Sequence, residues 1–482
     1  MSHAATLLLC SLLLTTPTTL AASPPDVTDG APPVVPPGNT VVRIGSPGAA
    51  PRELLGSAPP VTLRDVGSSC LGSWQNSGGT PARDGRSDEL GPTTADLLWS
   101  GGRPSLIAWQ PITDGDRVFM VRQADWPSSP PEDSPVVAMD LATGAELWAI
   151  HLPYEPGDWT TWIAAAHSGL VFASRAGNGA SVSAKMYALD QEDGSVEWAS
   201  SGEVDSGAYD GVVLAPDGDL LVGNFGSLMR IDAGDGSTVW SVPRVCSVSS
   251  SCGPATSGDA VYVADATGGG HVIVRHDLAT GAVQYQSPVM PGFTLQNTPF
   301  VGPDGTVYLS RTQENPATDY FYAFEDTGTA LVERWHVPAA WTAFTELAVT
   351  ADGSPFMLAP GYELVRLDPV TGATVDSAGL FPECTYGTRM ATDGNGTFYL
   401  GNGSFDDGRL RVFDADLDLL WETPVTNINI GGPAIGHGGA LVACGVGTDV
   451  RAYRPEPSTP VCMPFTDGFE SGDTSAWSLT VP

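Results

Sequence analysis

Carboxylates crowd one short run, Asp414-Ala415-Asp416-Leu417-Asp418, whose alternation matches the opening of a calcium loop. A calcium loop continues with Gly and closes on a bidentate Glu, whereas Leu419-Leu420-Trp421 follows here. The run therefore reads as a turn leading into a strand. His271 and His276 are five apart in strand-like sequence, which sends them to opposite faces of an unbroken strand and away from a shared metal. No GxSxG, HExxH or SxxK motif is present. Asn395-Gly396-Thr397 and Asn402-Gly403-Ser404 fit glycosylation sequons and are read as turns. No catalytic, cofactor-binding or metal-binding residue is assigned.

Cysteine is the other reactive type. Cys10 sits inside an apolar leader, and Cys70, Cys246, Cys252, Cys384, Cys444 and Cys462 follow it. An even number in an exported chain suggests disulfides, and the lack of a CxxC pair leaves a zinc ribbon unsupported. The leader Leu7-Leu8-Leu9-Cys10-Ser11-Leu12-Leu13-Leu14, with small residues at Thr19-Leu20-Ala21, reads as a signal peptide over 1–21. It lacks a basic n-region, and Cys10 is placed wrongly for a lipid anchor. No later stretch reaches 18 apolar residues, so no transmembrane segment is expected. The product is expected to be secreted, extracellular or periplasmic.

Charge narrows the partners. With 55 acidic against 21 basic residues, the net charge is −34, and Lys185 is the single lysine. Phosphate neutralisation needs cations, so nucleic acid is excluded as a partner. Anionic lipid is disfavoured for the same reason.

The elements that hold these residues repeat. One phrase occurs seven times: an apolar pair, an acid, a turn with Gly, then an aromatic. It runs Asp140, Gly144, Trp148; then Asp190, Gly194, Trp198; then Asp232, Gly236, Trp240. Asp277 and Gly281 lead to Tyr285, and Glu325 and Gly328 lead to Trp335. Asp368 and Gly372 lead to Asp376 in place of the aromatic, and Asp414 leads to Trp421 with Asp418 in place of the glycine. Successive acids are 50, 42, 45, 48, 43 and 46 residues apart. Before each phrase lies an Asp-Gly-type hairpin signal, as in Pro216-Asp217-Gly218 and Pro303-Asp304-Gly305.

Each unit thus holds four strands, and units of this period form a β-propeller. The acid is expected to accept backbone N–H bonds in the turn, the Gly to supply positive φ, and the Trp to fill the gap between blades. Gly439 through Tyr453 lacks a fourth strand, and Ala95-Asp96-Leu97-Leu98-Trp99 is a fourth strand without its blade. Joining them gives an all-β propeller of eight four-stranded blades, closed by pairing of the N-terminal strand with the C-terminal blade; seven blades is the alternative. The expected domains are the signal peptide 1–21, a Pro/Gly-rich linker 22–73, the propeller 74–460 and an acidic tail 461–482. Placed on blades, the cysteines suggest Cys246–Cys252, Cys384–Cys444 and a ring-closing Cys70–Cys462.

The Ala-x-Asp-x-x-Thr-Gly-x-x-x-Trp phrase resembles the repeat of the pyrroloquinoline-quinone (PQQ)-like β-propeller superfamily. Trp74, Gly78-Gly79-Thr80-Pro81-Ala82-Arg83 and Gly91-Pro92 through Trp99 are similar to the opening segment of that family. The tail Asp467-Gly468-Phe469-Glu470-Ser471-Gly472-Asp473-Thr474-Ser475-Ala476-Trp477-Ser478 is similar to a short C-terminal segment of secreted bacterial proteins. The family includes quinoprotein dehydrogenases and non-catalytic propellers such as the outer-membrane assembly lipoprotein BamB. Its dehydrogenases hold PQQ over a Trp and under a disulfide of adjacent cysteines, with calcium and an Asp base nearby. This chain has no Cys-Cys dipeptide, so neither PQQ nor calcium is expected.

The expectation is a monomeric, exported, non-catalytic propeller that binds an unknown protein or surface ligand. Its contact surfaces would be Ala124-Asp125-Trp126-Pro127-Ser128-Ser129-Pro130-Pro131 and Tyr154-Glu155-Pro156-Gly157-Asp158-Trp159. A PQQ-dependent oxidoreductase and an outer-membrane assembly component are the alternatives.

Overall fold

A computed structural model describes residues 43–44, 73–101, 110–121, 134–153, 158–177, 184–204, 211–246, 253–291, 298–311, 319–340, 346–381, 388–403, 408–425, 428, 431–445 and 450–455. They form eight antiparallel sheets arranged as the blades of a propeller. Blade 1 contains Ile112–Asp114, Arg117–Val121, Val136–Asp140 and Glu146–Ile150. Blades 2 and 3 occupy 158–204 and 212–243. Blade 4 contains Ala255–Ser257, Ala260–Thr267, Gly270–Asp277 and Val283–Gln286. Blade 5 contains Phe300–Val301, Val307–Arg311, Tyr320–Asp326 and Leu331–Pro338. Blades 6 and 7 occupy 356–380 and 388–424. Blade 6 has three strands, its innermost reduced to the bridges Glu346↔Arg389 and Val349↔Pro355.

The eighth blade is built from both ends of the ring, as the sequence predicts. Leu97–Gly101 pairs with Val450–Tyr453, in the register Leu97↔Tyr453, Trp99↔Ala452 and Gly101↔Val450. Within the stretch expected to be a linker, Arg43–Ile44 pairs with the outer strand of blade 1.

The repeated phrase builds the joints between blades. Asp140 Oδ1 accepts from Thr143 N at 2.7 Å and Thr143 Oγ1 at 2.6 Å, and Asp277 and Asp368 do the same with Thr280 and Thr371. These donors hold the Asp277 and Asp368 carboxyls below the usual range. Gly144, Gly194, Gly236, Gly281 and Gly372 all sit at φ between 71° and 74°. Each also lies beneath the indole of the preceding blade. A Cβ there would come within 2.5–2.8 Å of Trp99, Trp148, Trp198, Trp240 and Trp335 respectively. The indole Nε1 then donates to the carbonyl just after the turn acid: Trp99 to Leu141, Trp148 to Gln191, Trp198 to Ala233, Trp240 to Leu278 and Trp335 to Pro369, at 2.7–3.0 Å. Glycine is thus required twice, for its backbone and for the ring above it.

Where the phrase breaks, the joint changes. Asp376 replaces the aromatic of blade 6, and Arg366 beside it donates Nη1 to Ala415 O at 2.8 Å, the carbonyl that an indole would otherwise reach. In blade 7 the positive φ falls on Leu417 (62°), not on Asp418, and Asp414 accepts from Asp416 N and Asp418 N. The acidic run is therefore the turn expected. In blade 5 the turn acid is Asp326, which accepts from Gly328 N at 2.8 Å, rather than Glu325. Blade 8 has no continuous third-to-fourth turn, because its fourth strand comes from the N-terminal side. Trp421 packs on Tyr453 at 5.0 Å between ring centres, and its Nε1 is buried without a partner.

Other expectations fare unevenly. His271 and His276 both lie buried in the strand Gly270–Asp277. Asn395 is in a turn, whereas Asn402 is fully buried in the strand Phe398–Gly403, accepting from Arg411 at 2.6 Å. Cys444 lies buried beside Trp99 and Val442, and its expected partner Cys384 lies outside the described residues. Cys70, Cys252, Cys384 and Cys462 lie outside the described residues, and with them the Cys246–Cys252 and Cys70–Cys462 pairings.

If the joints carry the stability, Trp148→Ala should cost about 3–5 kcal/mol. Gly194→Ala, which combines positive φ with a clash against Trp148 and Ile150, should cost about 1–3 kcal/mol. Urea unfolding checks both; losses near zero contradict the joint account.

Candidate functional site: a sealed channel with a charged floor

Strand direction gives the ring two unlike ends. Tight turns join first to second and third to fourth strands at one end, the turn face. The connections from second to third strand and from blade to blade leave at the other, the loop face, and most of them lie outside the described residues. The Ala124–Pro131 stretch and 154–157 lie outside the described residues; Asp158 and Trp159 begin the first strand of blade 2.

Residues 74–91 close the axis. Gly78-Gly79, Pro81 and Gly85 prevent regular structure, and Gly78, Gly79, Arg83 and Gly85 all adopt positive φ. The segment curls around the axis and meets the innermost strands in order. Thr113 N of blade 1 donates to Trp74 O and Ala166 N of blade 2 to Gln75 O. Leu214 N of blade 3 faces Asn76 Oδ1 at 3.5 Å. Thr256 N of blade 4 donates to Pro81 O, Val301 N of blade 5 to Ala82 O, and Val349 N of blade 6 to Asp84 O. Blade 7 exchanges bonds through Thr392 with Gly85 O and Ser87 N. At blade 8, His437 Nδ1 lies 3.3 Å from Glu89 Oε1. These bonds satisfy edge amides that the innermost strands would otherwise leave open. They sit beside the first-to-second turns, so the segment plugs the turn-face end.

Above the plug, toward the loop face, lies a charged cluster. Arg83 is fully buried at φ 55°, a conformation uncommon outside glycine. Its Nε donates to Pro254 O at 2.8 Å and its Nη1 to Glu346 Oε1 at 3.1 Å. Arg389 and Ser77 also donate to Glu346 Oε1, while Glu346 Oε2 is buried with no partner. Gln110 closes the floor, accepting from Gly78 N and donating to Pro433 O. Burial opposes ionisation of Glu346, but the Arg389 and Arg83 charges and the Ser77 hydroxyl outweigh it and hold the carboxyl below its usual range. Asp84 behaves oppositely: burial pushes it up despite its Thr80 bond.

None of the repeat residues singled out in the sequence reaches this cluster; they build joints. Arg83 lies within the segment similar to the family's opening, and Glu346 and Arg389 belong to no motif. The one local signal was an arginine set among glycines in a chain poor in cations. Among the described residues, no group of three or more His, Cys, Asp or Glu side chains is placed to hold a metal ion. No helix among them is long and apolar enough to cross a membrane.

A family model described as outer membrane protein assembly factor BamB matches residues 132–377, just over half of the chain. No curated protein matches in sequence. Among solved structures, a europium-containing methanol dehydrogenase aligns with a TM-score of 0.54 at 12% identity, over 80% of this chain and 91% of that one. A quinohemoprotein alcohol dehydrogenase from Comamonas testosteroni gives 0.53 at 14%, over 81% and 82%. BamB from Moraxella catarrhalis gives 0.50 at 15%, over 74% and 99%. Identities this low establish the fold alone.

A carboxyl depressed on folding stabilises fully above its unfolded value, 4.5 for Glu346, and loses that contribution as pH falls through its folded value. Glu346→Gln leaves two buried guanidinium groups uncompensated and should cost about 3–5 kcal/mol at pH 7. The gap from the parent protein should narrow well below pH 4.5. Urea unfolding at both pH values is the check; an equal gap at each would contradict the assignment.

Proposed function

Since the chain belongs to the PQQ-repeat propeller family described as outer membrane protein assembly factor BamB, we propose that it is an exported, non-catalytic propeller that binds a protein or surface ligand through its loop face. The observation that carries this reading is the asymmetry of the ring. One end is plugged by residues 74–91 and ringed with tight turns; at the other, the Arg83–Glu346–Arg389 floor lies beside the starts of the innermost strands. Variable loops on a rigid frame are where recognition is concentrated. The apolar leader and the net charge of −34 support export and a partner that is neither nucleic acid nor anionic lipid.

A quinone–calcium centre is disfavoured by the donor set. The chain has no adjacent cysteines to cover a quinone. Both axial guanidinium groups are already closed on Glu346. An outer-membrane assembly role is the second reading, favoured by the description of the family.

A photo-crosslinking residue in place of Trp126, in the chain between the second and third strands of blade 1, should capture a recurring partner in the native exoproteome. The same residue in place of the exposed Ala142, on the turn face of blade 1, should not. Capture at 142 alone contradicts the reading, as does calcium-dependent dye reduction by protein purified with a visible quinone absorbance.

A further inference from the structure

Each blade presents one sheet edge at the rim of the ring. Proteins keep such edges from pairing with other chains by charge, by proline or by brevity. Glu197 interrupts the outer strand of blade 2, Glu333 and Arg334 that of blade 5, and Glu422 that of blade 7. Blade 1 breaks the rule. Its outer strand, Glu146–Ile150, runs Leu147-Trp148-Ala149-Ile150 with no polar residue, the one run of four apolar residues among the eight outer strands.

Burial marks the same edge. The residue after the fourth-strand aromatic, or after Asp376 in blade 6, is exposed in blades 2 to 8. In blade 2 it is an alanine, Ala199. The corresponding Ala149 of blade 1 is fully buried, so side-chain size is not the cause. Opposite Ala149 in the backbone register stands Ile44, and opposite Ile150 stands Arg43. An edge that would attract a strand is met by one from the N-terminal side of its own chain.

Length alone does not put that strand there. Trp74 N donates to Thr113 Oγ1 and Gly115 N to Ser73 Oγ, so the described chain resumes at the innermost hairpin of the same blade. Residues 45–72, 28 in number, join the two places. Their contour is about 90 Å, whereas the two edges of a four-stranded sheet are about 15 Å apart. Pairing with the edge therefore has to hold the strand in place.

We propose that the outer edge of blade 1 is a strand-docking surface, filled by Arg43–Ile44 of the same chain and able to take an extended peptide of that sequence once this strand is removed. In strand addition the backbone hydrogen bonds supply affinity and alternate side chains supply selectivity. The surface lies on the rim of the ring and stands independently of the loop-face reading above.

Hydrogen–deuterium exchange of the full chain tests it. The outward amides of Glu146–Ile150 should exchange at least about tenfold more slowly than those of Thr238–Pro243 in blade 3, whose sheet has no fifth strand. Consecutive strand residues point their amides to opposite sides, so Arg43→Pro combined with Ile44→Pro removes the donor to blade 1 whichever residue carries it. This variant should bring the blade 1 edge to the blade 3 rate with near-ultraviolet circular dichroism retained. At about 1 mM, the peptide acetyl-NTVVRIGS-amide, residues 39–46, should restore the protection saturably. The same peptide with both prolines should not. Equal exchange in parent and variant, no restoration by the first peptide, or restoration by the second would overturn the proposal. So would protection of the parent that falls on dilution, which would assign the strand to a second copy.

Discussion

An indole lying on a glycine, with its N–H on the neighbouring carbonyl, is the contact on which this ring depends. A four-stranded sheet cannot exclude water from both faces, so each blade is stable only against its neighbours. The turn glycine of one blade and the fourth-strand Trp of the preceding one meet in one geometry at five joints. The contact is local in space but never within one blade, so it propagates around the ring and closes it. Trp99 shows the consequence: it arrives from the N-terminal side of the ring, yet it sits on Gly144 as Trp148 sits on Gly194.

Closure of this kind leaves the innermost edges to be satisfied, and residues 74–91 do that with their own backbone. The same chain path makes the two ends of the ring chemically different. One is sealed and studded with turn carboxylates; the other is floored by a carboxylate between two arginines. Buried charge of that sort contributes little net stability against an apolar alternative, but it fixes geometry because removal of one partner is costly. Arg83, in the left-handed region, is the residue at which the plug is bent to deliver that charge.

The architecture was legible because its signals are short-range and repeated. Asp, Gly and Trp recur at a fixed offset for reasons internal to a turn and a joint, and even the split eighth blade could be read from a blade lacking its fourth strand at one end and a lone fourth strand at the other. The plug was not legible as such. It has no period, and its bonds run to strands spread from Thr113 to Thr392. Nor could the central cluster be found, since Arg83 and Glu346 are separated by 263 residues and their pairing follows from closure. The reading of Asn402 as a turn failed because a sequon carries no information about burial.

The central claim is that residues 74–91 thread the ring and complete its inner edge. Hydrogen–deuterium exchange of the inner-strand amides of Thr113, Ala166, Thr256, Val301 and Val349 measures this most directly, because each has its acceptor in that segment. The account predicts exchange only through global unfolding, at rates matching the second and third strands of the same blades. Exchange of these amides within minutes, while the blades remain protected, would show that the axis is open and would contradict it.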